Sequence, residues 1–119
     1  MRLSPAEFAA RRHLLGLTLE QTAAALPSRR TGSPVNPRTV RAWESGRDPI
    51  PEHITAALEE LIVCHDALVD RMLASEVPIA IPRRGDLDGN AMPGGWYIAA
   101  AARAVAVNPL LEVEWNSVS

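Results

Sequence analysis

Apolar positions along this chain fall into two regimes. Up to residue 47 they form three short clusters, each opened by a polar cap and closed by a breaker. Beyond residue 51 one long cluster keeps a helical period, and alternation follows only near the C-terminal end. The first cluster starts at Ser4-Pro5-Ala6-Glu7, where Ser caps, Pro presets the first turn and Glu completes a capping box. This spacing predicts a helix running to about Leu15. Leu3, Phe8 and Leu14/Leu15 supply its apolar face, Arg11/Arg12 its basic face, and Gly16 its stop. Thr18-Leu19-Glu20-Gln21 is a second capping box and opens the short helix "LEQTAAAL", ended by Pro27. Ala23 to Ala25 are small and suit a close helix–helix crossing. "PSRRTGSPVNP" reads as an exposed loop.

Asn36-Pro37 begins a third helix, with Asn as cap and Pro at its first position, closed by Gly46 after about nine residues. Val40 and Trp43 share one side of it, Arg38 and Arg41 another. Pro51 starts a fourth helix, with Glu52 near its positive end. Ile54, Ala57/Leu58, Leu61/Ile62, His65, Leu68/Val69 and Met72/Leu73 carry its period for about 22 residues. "VPIAIPR" (77–83), pinned by prolines, reads as an edge strand. A turn-rich loop at 84–95, whose RGD is a chance tripeptide, leads to an Ala-rich helix at 96–107. "LLEVEW" (110–115) alternates and is expected to pair with 77–83.

Charge divides the chain in the same place. The net charge is −2. Residues 1–47 nonetheless hold eight arginines against three acids, and residues 48–119 four arginines against eleven acids. A basic front on an acidic rear suggests a polyanionic partner for the front alone. Lysine is absent, so every side-chain cation other than histidine is a forked guanidinium.

Other chemistry finds little support. Cys64 is the single cysteine and fits as a small core residue of the fourth helix. His13, His53 and His65 are scattered, and His65 sits about 100° around a helix from Cys64, so no metal site is expected. Glu59 and Glu60 lie on different helix faces and lack the geometry of an acid/base pair. With no phosphate loop or nucleophile elbow, neither an enzyme nor a cofactor is expected. No apolar run reaches the length of a membrane span, the opening residues turn charged at once, and the cytoplasm is the expected location.

Three short capped helices, the second small-faced and the third basic, are what a helix-turn-helix needs. The third helix is short because only its beginning must enter a major groove about 12 Å wide. "GLTLEQTAAAL" and "VNPRTVRAWESGRDPIP" resemble the Xre/Cro-type helix-turn-helix over about residues 5–60. Together with "GGWYIAAAARAVAV", they resemble more narrowly the YdiL-like regulators and anti-CRISPR-associated repressors. The resemblance implies a homodimeric DNA-binding repressor of its own or a neighbouring operon. It places the base-reading positions at Asn36, Pro37, Arg38, Thr39 and Ala42. Arg38 then carries most of the direct readout, because Pro37 and Ala42 offer no side-chain hydrogen bond. Arg41 reads a base or holds a phosphate. Leu19 stands where the family often has a phosphate-binding Gln, which passes that contact to Gln21 or Thr18. Arg29, Arg30 and Arg47 are further phosphate candidates.

The expected fold is mainly α. It comprises an N-terminal helix-turn-helix domain with its long connecting helix (1–74) and a small α+β dimerisation region (75–119). Trp43 is expected in the core, Glu44 to pair with Arg11 or Arg12, and Trp96, Tyr97, Val113 and Trp115 to build the dimer or domain core. The partners are double-stranded DNA carrying an inverted-repeat operator and a second copy of the chain. An antitoxin binding a cognate toxin, or an RNA-binding autoregulator, is the alternative.

Overall fold

Each helix begins where the sequence supplies its cap. In the computed structural model, which describes residues 3–26, 33–82 and 92–116, α1 spans Pro5–Leu14, α2 Leu19–Ala25, α3 Pro37–Ser45 and α4 Glu52–Leu73. β1 (Ile79–Ile81), α5 (Gly94–Val107) and β2 (Val113–Trp115) follow. At α1 the Ser4 hydroxyl accepts from the Glu7 N–H at 3.1 Å, and the Glu7 carboxylate accepts from the Ser4 N–H at 2.8 Å. The Ser4 N–H, then its hydroxyl, hold the Glu7 carboxyl below its ordinary value. At α2, Thr18 and Gln21 make the same reciprocal pair at 3.1 and 3.0 Å. At α3 the Asn36 side-chain oxygen accepts from the Arg38 N–H at 2.9 Å.

The fold is mainly helical, with one two-stranded sheet among the described residues. By internal packing the chain divides into two compact units, residues 1–62 and 63–119, with the seam inside α4. In the first unit α3 packs on both α1 and α2. Phe8, Leu15, Leu26, Val40, Ile54 and Leu58 are sealed from solvent, and Trp43 lies with them. Phe8 and Trp43 meet edge to face, ring centroids 5.8 Å apart. Leu14, expected on this apolar face, instead turns outward and is 40% exposed.

Gly46 ends α3 at φ +83°, a conformation an L side chain adopts only under strain. A Cβ there would meet only the Pro5 side chain, at an ordinary 3.6 Å. Gly46→Ala is therefore expected to lower stability by about 1 kcal/mol through the backbone alone. Thermal melts of the two chains measure this, and an unchanged melt would contradict it.

The second unit packs Val69 and Met72 of α4 against Ile79 and Ile81 of β1 and Ala100, Ala101 and Ala104 of α5. Leu68, Leu73, Tyr97 and Leu111 close over this cluster. β1 and β2 pair as expected, and they do so in parallel, with Ile79 beside Val113 and Ile81 beside Trp115. A parallel pair needs a long crossover, and the connection containing α5 provides it. The strands are shorter than the alternation suggested: Val77 lies outside β1 and is 69% exposed. α5 starts two residues before the expected Trp96, at Gly94.

Cys64 corrects an expectation. It was placed in the core, but it is exposed. Ile54, Leu58, His65, Val69 and Met72 define the buried stripe of α4, and Val63 and Cys64 fall off it. Among the described residues, no helix is long and apolar enough to cross a membrane.

Candidate nucleic-acid interface

The two faces of α3 are sharply divided. Val40, Ala42 and Trp43 are buried, whereas Arg38, Arg41 and Ser45 form an exposed stripe at spacings of three and four residues. The Asn36 cap fixes the beginning of this helix, and the stripe runs from there toward Gly46. Arg38 and Arg41 make no ion pair with any described residue.

Glu44 would ordinarily weaken such a stripe. It lies three residues after Arg41, the spacing at which opposite charges pair on a helix surface. It is drawn away by Arg12. Arg12 Nε donates to Glu44 Oε2 at 2.6 Å and Nη2 donates to Oε1 at 3.0 Å, a two-pronged contact. Arg12 Nη1 also donates to the Leu17 carbonyl at 3.0 Å. One guanidinium thereby ties the end of α1, the turn before α2 and the last turn of α3. The two side chains are only 12% and 15% exposed. This is the expected Glu44 pairing, resolved to Arg12; Arg11 instead donates to the Glu7 carbonyl at 3.3 Å. Arg12 is thereby removed from the free cations of the basic front.

The remaining candidates separate by exposure. Ala42, assigned to base reading by resemblance, is 2% exposed and belongs to the core, so it has no surface to present. Thr39 is half-buried beside the stripe. Arg47 is exposed just after the helix. Thr18 is exposed and Gln21 half-buried, but the oxygen of each already accepts a capping hydrogen bond. The Thr18 hydroxyl proton and the Gln21 amide protons are what they retain for a phosphate. Arg29 and Arg30 lie outside the described residues, as do Arg83 and Arg84.

The four residues assigned to dimerisation also separate. Trp96 is 4% exposed and belongs to the core of the second unit, the domain-core side of the expectation. Tyr97 is half-buried against the same core. Val113 and Trp115 are 37% and 47% exposed. They continue the sheet face whose β1 half, Ile79 and Ile81, is buried. All the exposed large apolar side chains among the described residues, Leu14 excepted, lie in the second unit.

One polar cluster escaped the sequence reading. His65 of α4 is fully buried, bonded through Nε2 to the Trp96 carbonyl at 3.0 Å and through Nδ1 to Arg103 Nη1 at 2.8 Å. Arg103 Nη2 reaches Asp66 Oδ1 at 2.6 Å. The only advance signal was a histidine occupying an apolar position in the α4 period. Among the described residues, no group of three or more His, Cys, Asp or Glu side chains could hold a metal ion. No protein-family model matches this chain, and no curated protein is significantly similar to it.

Proposed function

We propose that this protein is a sequence-specific DNA-binding regulator of the helix-turn-helix type, a homodimeric repressor of its own or a neighbouring operon. α3 acts as the recognition helix in the major groove. The observation that carries this reading is the exposed Arg38/Arg41 stripe, from which Glu44, three residues after Arg41, has been diverted. Arg38 stands one turn or less from the helix beginning, where forked guanidinium contacts reach guanine O6 and N7. Arg41, three residues on, lies within reach of a second base or of a phosphate. Arg47, Thr18 and Gln21 supply further positioning contacts, which carry no sequence information.

One helix of this length reads too few bases to find an operator alone. Two copies on half-sites about one helical turn apart supply the rest. The exposed Val113 and Trp115 side chains support self-association of the second unit. The same apolar surface suits the alternative in which a cognate toxin is the partner. Sedimentation of the purified chain separates the two, a dimer favouring the repressor and a monomer the toxin-binding reading.

Fluorescence anisotropy on duplexes from the upstream region, against scrambled duplex and across a salt series, tests the reading. A preference of roughly 10³ or more for one inverted repeat is expected. Arg38→Ala is expected to weaken operator binding by about 1–3 kcal/mol, roughly 5- to 150-fold, and to relax the preference at one base position. Unaltered operator affinity in a normally folded Arg38→Ala chain would remove α3 as the reading element. A steep salt slope with no sequence preference would leave only a generic polyanion face and turn attention to RNA.

A further inference from the structure

We propose that His65 is an acid-sensitive latch in the second unit: it clasps α4 to α5 only while its ring is neutral, and protonation opens the clasp. The geometry admits one protonation state. Nε2 faces the Trp96 carbonyl oxygen at 3.0 Å, which can only accept, so Nε2 carries the proton. Nδ1 faces Arg103 Nη1 at 2.8 Å, and a guanidinium can only donate, so Nδ1 must be bare. The neutral tautomer protonated at Nε2 satisfies both neighbours, and no other form does.

The surroundings make this choice consequential. The ring is fully buried and stands edge to face against the Trp96 indole, centroids 4.6 Å apart. Adding a proton to Nδ1 would set two donors and two positive charges against each other at 2.8 Å without water between them. The charged groups that face the ring are Arg103 from α5 and Asp66 from α4 itself. Arg103, 29% exposed, is the member able to leave. Its departure breaks the Arg103–Asp66 bridge together with the His65 contact, and both are polar ties between the two helices.

The direction of titration agrees. Burial first, and the Arg103 charge in addition, hold His65 below its ordinary value of 6.5, against the pull of the Trp96 carbonyl and Asp66. An unfolded or opened chain takes up the proton at the ordinary value, while the closed unit refuses it. The stability contributed by His65 is therefore full above pH 6.5 and is lost as the pH falls from 6.5 toward the lowered value.

The experiment follows the three histidine ring signals by NMR in the intact chain, with amide-exchange protection of α5 read across the same pH series. His65 is expected to stay neutral below the ordinary histidine value of 6.5. The opening constant of α5 is expected to rise as the pH falls from 6.5 toward the lowered value, by at most about tenfold per pH unit, the slope of one proton. His65→Gln keeps an oxygen for Arg103 and an N–H for the Trp96 carbonyl but does not titrate, and in it this acid opening should vanish. Superimposable wild-type and His65→Gln profiles would overturn the proposal, as would His65 titrating at 6.5 with α5 protection unchanged. Should His65→Gln not fold, Arg103→Met serves: with the Arg103 charge gone and burial remaining, His65 titration should move part of the way up toward the ordinary value and the acid opening should weaken. Opening that persists unchanged in Arg103→Met also overturns it. Neither readout involves DNA, so the latch stands or falls apart from the regulatory reading.

Discussion

Glu44→Ala is expected to destabilise the first unit by about 3–5 kcal/mol, the range for breaking a buried ion pair from one side. The reason is what remains behind. Arg12 would keep its charge in a setting where it is 12% exposed, with Nε and Nη2 losing acceptors at 2.6 and 3.0 Å. The Leu17 carbonyl at 3.0 Å and the His13 ring nitrogen at 3.3 Å would be its remaining partners. Arg12→Ala should be at least as damaging, because it strands the Glu44 carboxylate and also frees the Leu17 carbonyl. Replacing both partners with Arg12→Met and Glu44→Leu should recover much of the loss, since two well-packed apolar side chains leave no buried charge unpaired. Urea unfolding of the four chains measures these differences. A loss below about 1 kcal/mol for Glu44→Ala would class the pair with ordinary surface ion pairs. On the proposed regulatory reading the same variant has a second consequence. The clamp sets the orientation of α3 against α1, so DNA affinity should fall in Glu44→Ala even under conditions where the chain stays folded.

This clamp also marks the limit of what the chain reveals unaided. The capping boxes at Ser4/Glu7 and Thr18/Gln21 were legible because both partners lie three residues apart. The Asn36 cap, the bounds of α3 and the long period of α4 are equally local and agree with the structure. That Glu44 takes Arg12 rather than Arg11 is a contact across 32 residues, decided by how α1 and α3 cross. Periodicity says that both arginines sit near that face, and no more. His65 finds Arg103 across 38 residues, and no local pattern couples a helix-period histidine to an arginine in an alanine-rich helix. Alternation in 110–115 announced a strand and its partner, but alternation has no direction, so the parallel register was not available. Cys64 falls one step from its expected face, because a helical period locates a face only to within about one residue, or 100°. Ala42 came to base reading through the resemblance alone, and its burial in the core removes it. For the candidate interface, Arg38 and Arg41 were legible as a stripe. The diversion of Glu44 that leaves the stripe cationic was not.

Trp96→Ala is expected to cost about 3–5 kcal/mol, the range for removing a large aromatic side chain from a packed interior. Two losses combine in the second unit: the indole is 4% exposed, and its edge-to-face contact at 4.6 Å helps seat the His65 ring. With the indole gone, water can reach that ring and compete with the Trp96-position carbonyl and Arg103 for its two nitrogens. The variant should therefore lose stability even at pH 8, where His65 is neutral, and its remaining acid sensitivity should shrink. Trp115→Ala provides the contrast. That side chain is 47% exposed, and its removal from a monomer should change stability by about 1 kcal/mol or less. If two copies associate through the sheet face that carries Val113 and Trp115, its effect should grow with protein concentration, because association adds stability by mass action. Trp96→Ala should not share this dependence, since its indole contributes to a single chain. Melting both variants at two widely separated concentrations tests the distinction. Equal losses from the two tryptophans at every concentration would put them in one structural role and undo the separation of core from surface drawn between them.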